Sequence, residues 1–303
     1  MIEKLHRFYP DAAIDMLVRK GNESLLAGHP YLRNVLVWDK KQSKYANLFL
    51  LIKRVRNVKY DAVINLQRFA ASGFITAFSQ ATERIGFDKN PLSFLFDKKF
   101  PHIIGSKQQP GEHEVQRCLN LIEHLTDTTF QMPQLYPTPG DEEVVRPFIN
   151  EPFITISPAS VWSTKQTPTE VWVDFLNHRN AMLCYLLGAP ADVPLCNEIK
   201  EKCSGKDITV LAGKLTLLQS AALMKHAAMN YTNDSAPLHL CSAMNAPVTA
   251  VFCSTIPEFG FGPLSDNSRV IETSEPLECR PCGLHGYKRC PRGHFKCAQL
   301  IIQ

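Results

Sequence analysis

Apolar residues fall in short runs of strand length, separated by longer stretches in which they recur at helical spacing. In the first half, "AIDMLV" (13–18), "VLVW" (35–38), "DAVIN" (61–65) and "ERIGF" (83–87) read as strands, with helices over 45–57, 69–80 and 111–126. After residue 150 the alternation is cleaner. Strands are expected at 153–157, 181–187, 207–211, 228–232 and 247–253, with helices over 168–177, 192–203, 215–226 and 236–244. Regular alternation of strand and helix implies parallel sheets covered on both faces. The segment "QMPQLYPTPGDEEVVRP" (131–147), rich in Pro and Gly, reads as a linker between two such sets. The expected architecture is therefore α/β, with two Rossmann-like domains at 1–140 and 150–303.

Open α/β sheets bind ligands at the carboxyl ends of strands, where helices begin. Three stretches of the second half lie there. "NDSAPLHL" (233–240) follows a strand and opens a helix. Asp234 or Ser235 can cap that helix, and Pro237 suits its first turn. The same geometry presents unpaired N–H groups to an anion, with the Ser235 hydroxyl beside them and His239 four residues on, on the same face. Ordinary cap and anion site are both open at this point. "ISPASVWSTKQTP" (156–168) offers Ser160, Ser163, Thr164 and the Lys165 ammonium, either as a solvated loop or as phosphate ligands. In "LLGAPAD" (186–192), Gly188 allows close backbone approach after a strand. Three such signals in one domain point together to a nucleotide-type ligand. No G-x-G-x-x-G and no P-loop is present, which argues against dehydrogenases and P-loop NTPases.

The chain of 303 residues, 45% apolar and 20% charged, can bury two cores without staples. No run approaches the roughly 18 apolar residues of a membrane span, and Glu3, Lys4 and His6 argue against a signal peptide. A cytoplasmic location with reduced thiols is expected for the ten cysteines. Four of them, Cys279, Cys282, Cys290 and Cys297, cluster near the end, and structural zinc there is an alternative to free thiols. Of the 33 basic and 29 acidic residues, 20 and 16 lie in residues 1–150, so the whole excess of +4 sits in the first half. Seven basic residues and no acidic one fall within 40–60. That stretch is either a solvated helix face or a surface for an anionic partner, such as a membrane or an acidic glycolipid. No nucleic-acid motif accompanies it.

Taken together, "NYTNDSAPLHLCSAMNAPVTAVFCSTIPEFGFGPLS", "YDAVINLQRFAASGFITAFSQATERIGFD", "GEHEVQRCLNLI" and "LAGKLTLLQSAALMKHA" resemble glycosyltransferase family 9, the ADP-heptose:lipopolysaccharide heptosyltransferases. The resemblance covers nearly the whole chain. It implies a GT-B fold with two Rossmann-like domains facing across a cleft. It implies inverting, metal-independent heptosyl transfer from an ADP-sugar to a lipopolysaccharide core, without a cofactor. On this resemblance Ser160, Lys165, Gly188, Asp234, Ser235, Ala236 and His239 hold the donor. Asp234 would take sugar hydroxyls, and Lys165 with the helix N-terminus the diphosphate. Ala236 stands where the family usually has Gly. The family's catalytic base belongs to a Gly-Asp loop after a first strand, whereas the resemblance here starts at "MIEKLHRFYPDAAIDMLV". The base is thus expected upstream of Met1, and a catalytically silent nucleotide-sugar-binding protein is the alternative function. A GT-B epimerase is a third reading, but its acidic pair is not evident in the first half.

Overall fold

The computed structural model describes residues 1–41, 43–179, 182–203, 205 and 207–301, and these form two compact units. The first comprises residues 1–104 and 111–131, the second 105–110 and 132–303.

The first unit runs α1 (Ile2–Phe8), β1 (Asp15–Arg19), β2 (Asn34–Trp38), α2 (Lys44–Val58), β3 (Ala62–Asn65), α3 (Ala70–Ala77), β4 (Glu83–Phe87), β5 (Lys98–Phe100) and α4 (Glu114–Asn120). Strands β1 and β2 pair in parallel, from Asp15 opposite Asn34 to Arg19 opposite Trp38. Strands β3, β4 and β5 form a separate three-stranded parallel sheet. Helix α2 buries Leu48, Leu51 and Val55, three and four residues apart on one face, against Leu36, Trp38 and Ile75. Its last turn ends at Lys59, which adopts a left-handed conformation. Helix α1 is too short to persist by itself and is tied down through Lys4. That buried ammonium donates to the carbonyls of Asp127 (2.7 Å) and Thr129 (2.6 Å) and pairs with the Asp127 carboxylate at 2.7 Å. The bond from Lys4 is the main cause that holds the Asp127 carboxyl at about 2.

The second unit runs α5 (Pro139–Val145), β6 (Phe153–Ser157), α6 (Thr169–His178), β7 (Leu183–Leu186), α7 (Val193–Lys202), β8 (Ile208–Val210), α8 (Leu217–His226), β9 (Met229–Asn233), α9 (Ala236–Met244), β10 (Val248–Phe252), β11 (Ser268–Glu272) and α10 (Lys296–Gln299). Its six strands pair in parallel in the order β11-β10-β9-β6-β7-β8. All five residues of β6 and of β10 are buried, as a parallel strand covered on both faces requires. Ile154, Ile156, Trp172, Leu186 and Val251 form the centre of the core. From β6 the chain builds outward through β7 and β8, then returns to β9 and continues the other way. The order therefore reverses between β6 and β9, and the carboxyl ends of these strands are where open α/β sheets form a ligand crevice.

Four expectations need correction. The stretch expected as a linker contains helix α5, whose Thr138 and Asp141 form a reciprocal capping box. The helix expected over 111–126 is regular only from Glu114 to Asn120, after His113 caps it through Nδ1. Strands β5 and β11 were not expected, because "KKF" and "SRVIE" are short, charged edge sequences. The expected strand at 181–187 is observed from Leu183, and Ala181 lies outside the described residues.

Candidate functional site

At the reversal point the ends of β6 and β9 are joined by one side chain. Asn233, the last residue of β9, is fully buried. Its Oδ1 accepts from the Thr167 amide (2.9 Å) and hydroxyl (2.7 Å), and its Nδ2 donates to the Pro158 carbonyl at 2.8 Å. The loop that leaves β6 is thereby pinned at both ends. That loop carries Ser160 and the short turn Ser163–Lys165.

Asp234 follows. Its amide donates to the Val251 carbonyl at 3.0 Å, which prolongs the β9–β10 ladder and fixes where its side chain starts. Its Oδ2 pairs with the Lys165 ammonium at 2.7 Å and accepts from the Thr255 hydroxyl at 2.6 Å. The side chains of Lys165 and Asp234 are only 15% and 8% exposed, so water screens the pair weakly. The structure brings these two expected site residues together, as partners of each other.

Ser235 is the N-cap residue of α9, but no side chain caps that helix. Its Oγ makes only a long contact, 3.4 Å, to the Asn233 carbonyl. Pro237 occupies the first turn, and Ala236 and His239 are exposed on the same end of the helix. The crevice therefore gathers an ammonium, a carboxylate, an uncommitted serine hydroxyl and a helix N-terminus with its partial positive charge. Such a set suits a ligand with an anionic group beside hydroxyls.

Gly188 also has a local structural reason. A Cβ there would stand 2.8 Å from the Cβ of Asp192. The glycine makes room for the turn in which the Asp192 carboxylate accepts from the Ala189 amide at 2.8 Å. One close approach of this glycine is thus to protein.

Thr255, Arg280 and Gly286 were not singled out by their sequence, and Thr164, expected as a loop or phosphate-ligand hydroxyl, is engaged by protein groups. Thr255 was quoted only within a motif. Thr164 accepts from the Ser254 hydroxyl (3.1 Å) and from the Tyr287 amide (2.7 Å), which ties the loop to the carboxyl-terminal tail. Gly286, with a φ of +72°, passes so close that a Cβ would lie 2.8 Å from the Thr164 hydroxyl oxygen. Arg280 donates to the carbonyls of Cys253 (2.7 Å) and Thr255 (2.8 Å) and pairs with Glu272 at 2.6 Å. It holds the strand end that carries Thr255.

Among the described residues no group of three or more His, Cys, Asp or Glu is arranged to hold a metal. In the cysteine cluster, Cys279 Sγ lies 3.8 Å from His294 Nε2, and Cys282 Sγ donates to the Cys279 carbonyl at 3.1 Å. This geometry gives the zinc alternative no support. The thiols differ sharply in character. Burial pushes Cys184, Cys196, Cys241 and Cys253 up to about 12. Burial would also raise Cys290, but the backbone N–H groups of Phe295, Arg292, Gly293 and His294 together outweigh it and lower that thiol. Iodoacetamide near neutral pH is expected to alkylate Cys290 well before the four buried thiols, because the thiolate is the nucleophile. Peptide mass mapping over time would show this, and early labelling of Cys253 would contradict the packing of β10.

Residues 48–286 match the family model of glycosyltransferase family 9 (heptosyltransferase). Over 269 residues the chain is 27% identical to lipopolysaccharide heptosyltransferase 3 of Escherichia coli, which covers 84% of this chain and 78% of that relative. The structure of E. coli ADP-heptose lps heptosyltransferase II superposes with a TM-score of 0.71 at 20% identity, covering 99% of this chain and 92% of that one. E. coli heptosyltransferase WaaC with ADP gives a TM-score of 0.69 at 18% identity, over 89% and 86% of the two chains. At these identities the two structures establish a common fold.

Proposed function

This chain belongs to glycosyltransferase family 9, the heptosyltransferase family, and from that membership we propose that it moves a heptose from an ADP-linked donor to a lipopolysaccharide core acceptor, with inversion at the anomeric carbon. The observation that carries the reading is the Lys165–Asp234 pair at the reversal point, beside the uncapped N-terminus of α9. An acceptor hydroxyl attacks the anomeric carbon and loses its proton to a general base. The bond from that carbon to the diphosphate oxygen breaks, and ADP departs with the electron pair. Lys165 and the first turn of α9 neutralise the growing charge on the diphosphate. The Ser235 hydroxyl and the Ala236 amide bind phosphate oxygen, with His239 in support. Asp234 accepts from hydroxyls of the sugar, and Ser160, on the loop that carries Lys165, joins the donor site. Relatives named as lipopolysaccharide heptosyltransferases, and a fold neighbour that carries ADP, support the choice of donor and acceptor. Calorimetry should show ADP binding that EDTA leaves unchanged. Binding that needs Mg²⁺ would refute charge stabilisation by protein groups alone.

We place the enzyme at the inner face of an anionic membrane, where a glycolipid acceptor would be presented. Helix α2 leaves Tyr45, Phe49 and Leu50 at least 60% exposed beside the exposed cations Lys44, Lys53 and Arg54. Apolar side chains amid basic ones suit the headgroup boundary. No helix among the described residues is long and apolar enough to cross a membrane. Phe49→Asp with Leu50→Asp should weaken binding to phosphatidylglycerol vesicles about tenfold or more, and salt should weaken the unmodified protein's binding, since the Debye length falls to about 3 Å at 1 M. Equal binding to neutral vesicles would rule out this orientation.

A further inference from the structure

In the second unit the loop that leaves β6 and a strap near the carboxyl terminus meet at one point. Of residues 159–166, the stretch that carries Lys165, Thr164 alone is buried. Of residues 283–289 in the strap, Gly286 alone is buried. Two otherwise exposed segments therefore bury one residue each, and they do so against each other. The Thr164 amide donates to the Tyr287 carbonyl at 3.1 Å, and the Tyr287 amide donates back to the Thr164 hydroxyl oxygen at 2.7 Å. Two directional bonds between the same two residues fix orientation as well as distance.

The contact reaches past Thr164. A Cβ at Gly286 would lie 3.1 Å from Lys165 Cγ and 3.1 Å from Ser254 Oγ, besides its approach to the Thr164 hydroxyl. The strap backbone thus rests on the stem of Lys165 itself. The same residues close a ring of contacts. Ser254 donates to Thr164, its neighbour Thr255 donates to Asp234, and Asp234 pairs with Lys165. The strap is fixed on both sides of the turn. Before it, the Cys282 amide donates to the Ser254 carbonyl at 2.8 Å, and Arg280 holds the Cys253 and Thr255 carbonyls. After it, Ala298 and Ile301 are part of the core of the second unit.

We propose that the turn Gly286–Tyr287 is a positioning element of the donor site: it sets Thr164, and through Thr164 it holds the Lys165 ammonium where the donor diphosphate meets it. The proposal rests on the donor reading given above. Lysine is a point charge on a flexible four-carbon stem, and it loses rotamer freedom when it is held in one place. A strap that already orders the stem in the folded protein spares the incoming ligand that cost. Thr164 serves as the joint, since its hydroxyl oxygen accepts from two protein donors. Glycine suits the strap side of the joint, because it allows the close approach and carries no strain at a φ of +72°.

The test is a mutant cycle on the full chain, read by ADP calorimetry with thermal melting alongside. Thr164→Val keeps the shape but leaves the Tyr287 amide and the Ser254 hydroxyl without an acceptor, and should weaken ADP binding about five- to tenfold. Thr164→Ser keeps the acceptor and should stay within about twofold of the unmodified protein. In a Lys165→Ala background, Thr164→Val should change affinity by less than about twofold, because the group it positions is gone. An equal loss in both backgrounds would overturn the proposal, since Thr164 would then support the fold alone. Unchanged affinity in Thr164→Val would overturn it too. Gly286→Ala sets a methyl against Thr164 and Lys165 and should weaken ADP binding about tenfold or more. Where that variant unfolds, the Thr164 variants decide. Full ADP affinity in Lys165→Ala would sink the donor reading itself, and this proposal with it.

Discussion

Replacing Lys165 with alanine should weaken ADP binding by about 1.5–3 kcal/mol, roughly 10- to 150-fold. The ammonium is the only cationic group that the expected site residues bring into the crevice. A charge-assisted bond to phosphate in so poorly screened a place is worth more than a surface contact. The same substitution also strands Asp234, which keeps Thr255 but loses its cation. Leaving a largely buried carboxylate half-paired destabilises the fold by about 1–3 kcal/mol. The two effects separate in a cycle with Asp234→Asn. If Lys165 served only to neutralise Asp234, the double variant would regain both stability and ADP affinity. The present reading expects stability to recover and affinity to stay low. Unchanged ADP affinity in Lys165→Ala itself would reduce the residue to a structural partner.

Asn233→Leu should cost the second unit about 3–5 kcal/mol, at the upper end of single substitutions. Leucine fills nearly the same volume, so the cause is the hydrogen bonds. The Thr167 amide and hydroxyl and the Pro158 carbonyl would remain buried without their partner, and each such group costs about 1–3 kcal/mol, less than additively. The loop carrying Lys165 would lose its anchor at both ends, so donor binding should fall with stability. Asn233→Asp is expected to fare little better, since a second carboxylate oxygen would oppose the Pro158 carbonyl. Urea unfolding followed by tryptophan fluorescence would measure the loss, and a change below about 1 kcal/mol would show that the loop is held by other contacts.

The sequence made the strands of the second unit plain because burial on both faces leaves continuous apolar runs such as "FITIS" and "PVTAVFC". It concealed β5 and β11 because edge strands need no such run. It also drew attention to "NDSAPLHL" for the right local reason, a helix start, and yet assigned no task to Asn233. Nothing local to that asparagine tells that it ties a distant loop. The partnership of Lys165 with Asp234 was hidden for the same cause. Each residue had been read as a ligand group, and only the pairing of β6 with β9 sets them side by side. At Gly188 the sequence signals close approach after a strand without saying to what, and the structure shows Asp192 as one neighbour.

The ion pair at the crevice has a bearing on turnover. In the resting protein Asp234 occupies the cation that a diphosphate would claim, so it acts as a built-in rival to the nucleotide. Being part of the chain, it competes at a fixed and high local concentration. Donor entry under the proposed mechanism is then an exchange of partners at the ammonium, with the Asp234 carboxylate staying in place beside Thr255. The same rivalry works on the way out. As ADP loosens under that mechanism, the carboxylate can recapture the ammonium, so the rivalry that favours release of the spent nucleotide is the same one that lowers affinity for the incoming donor.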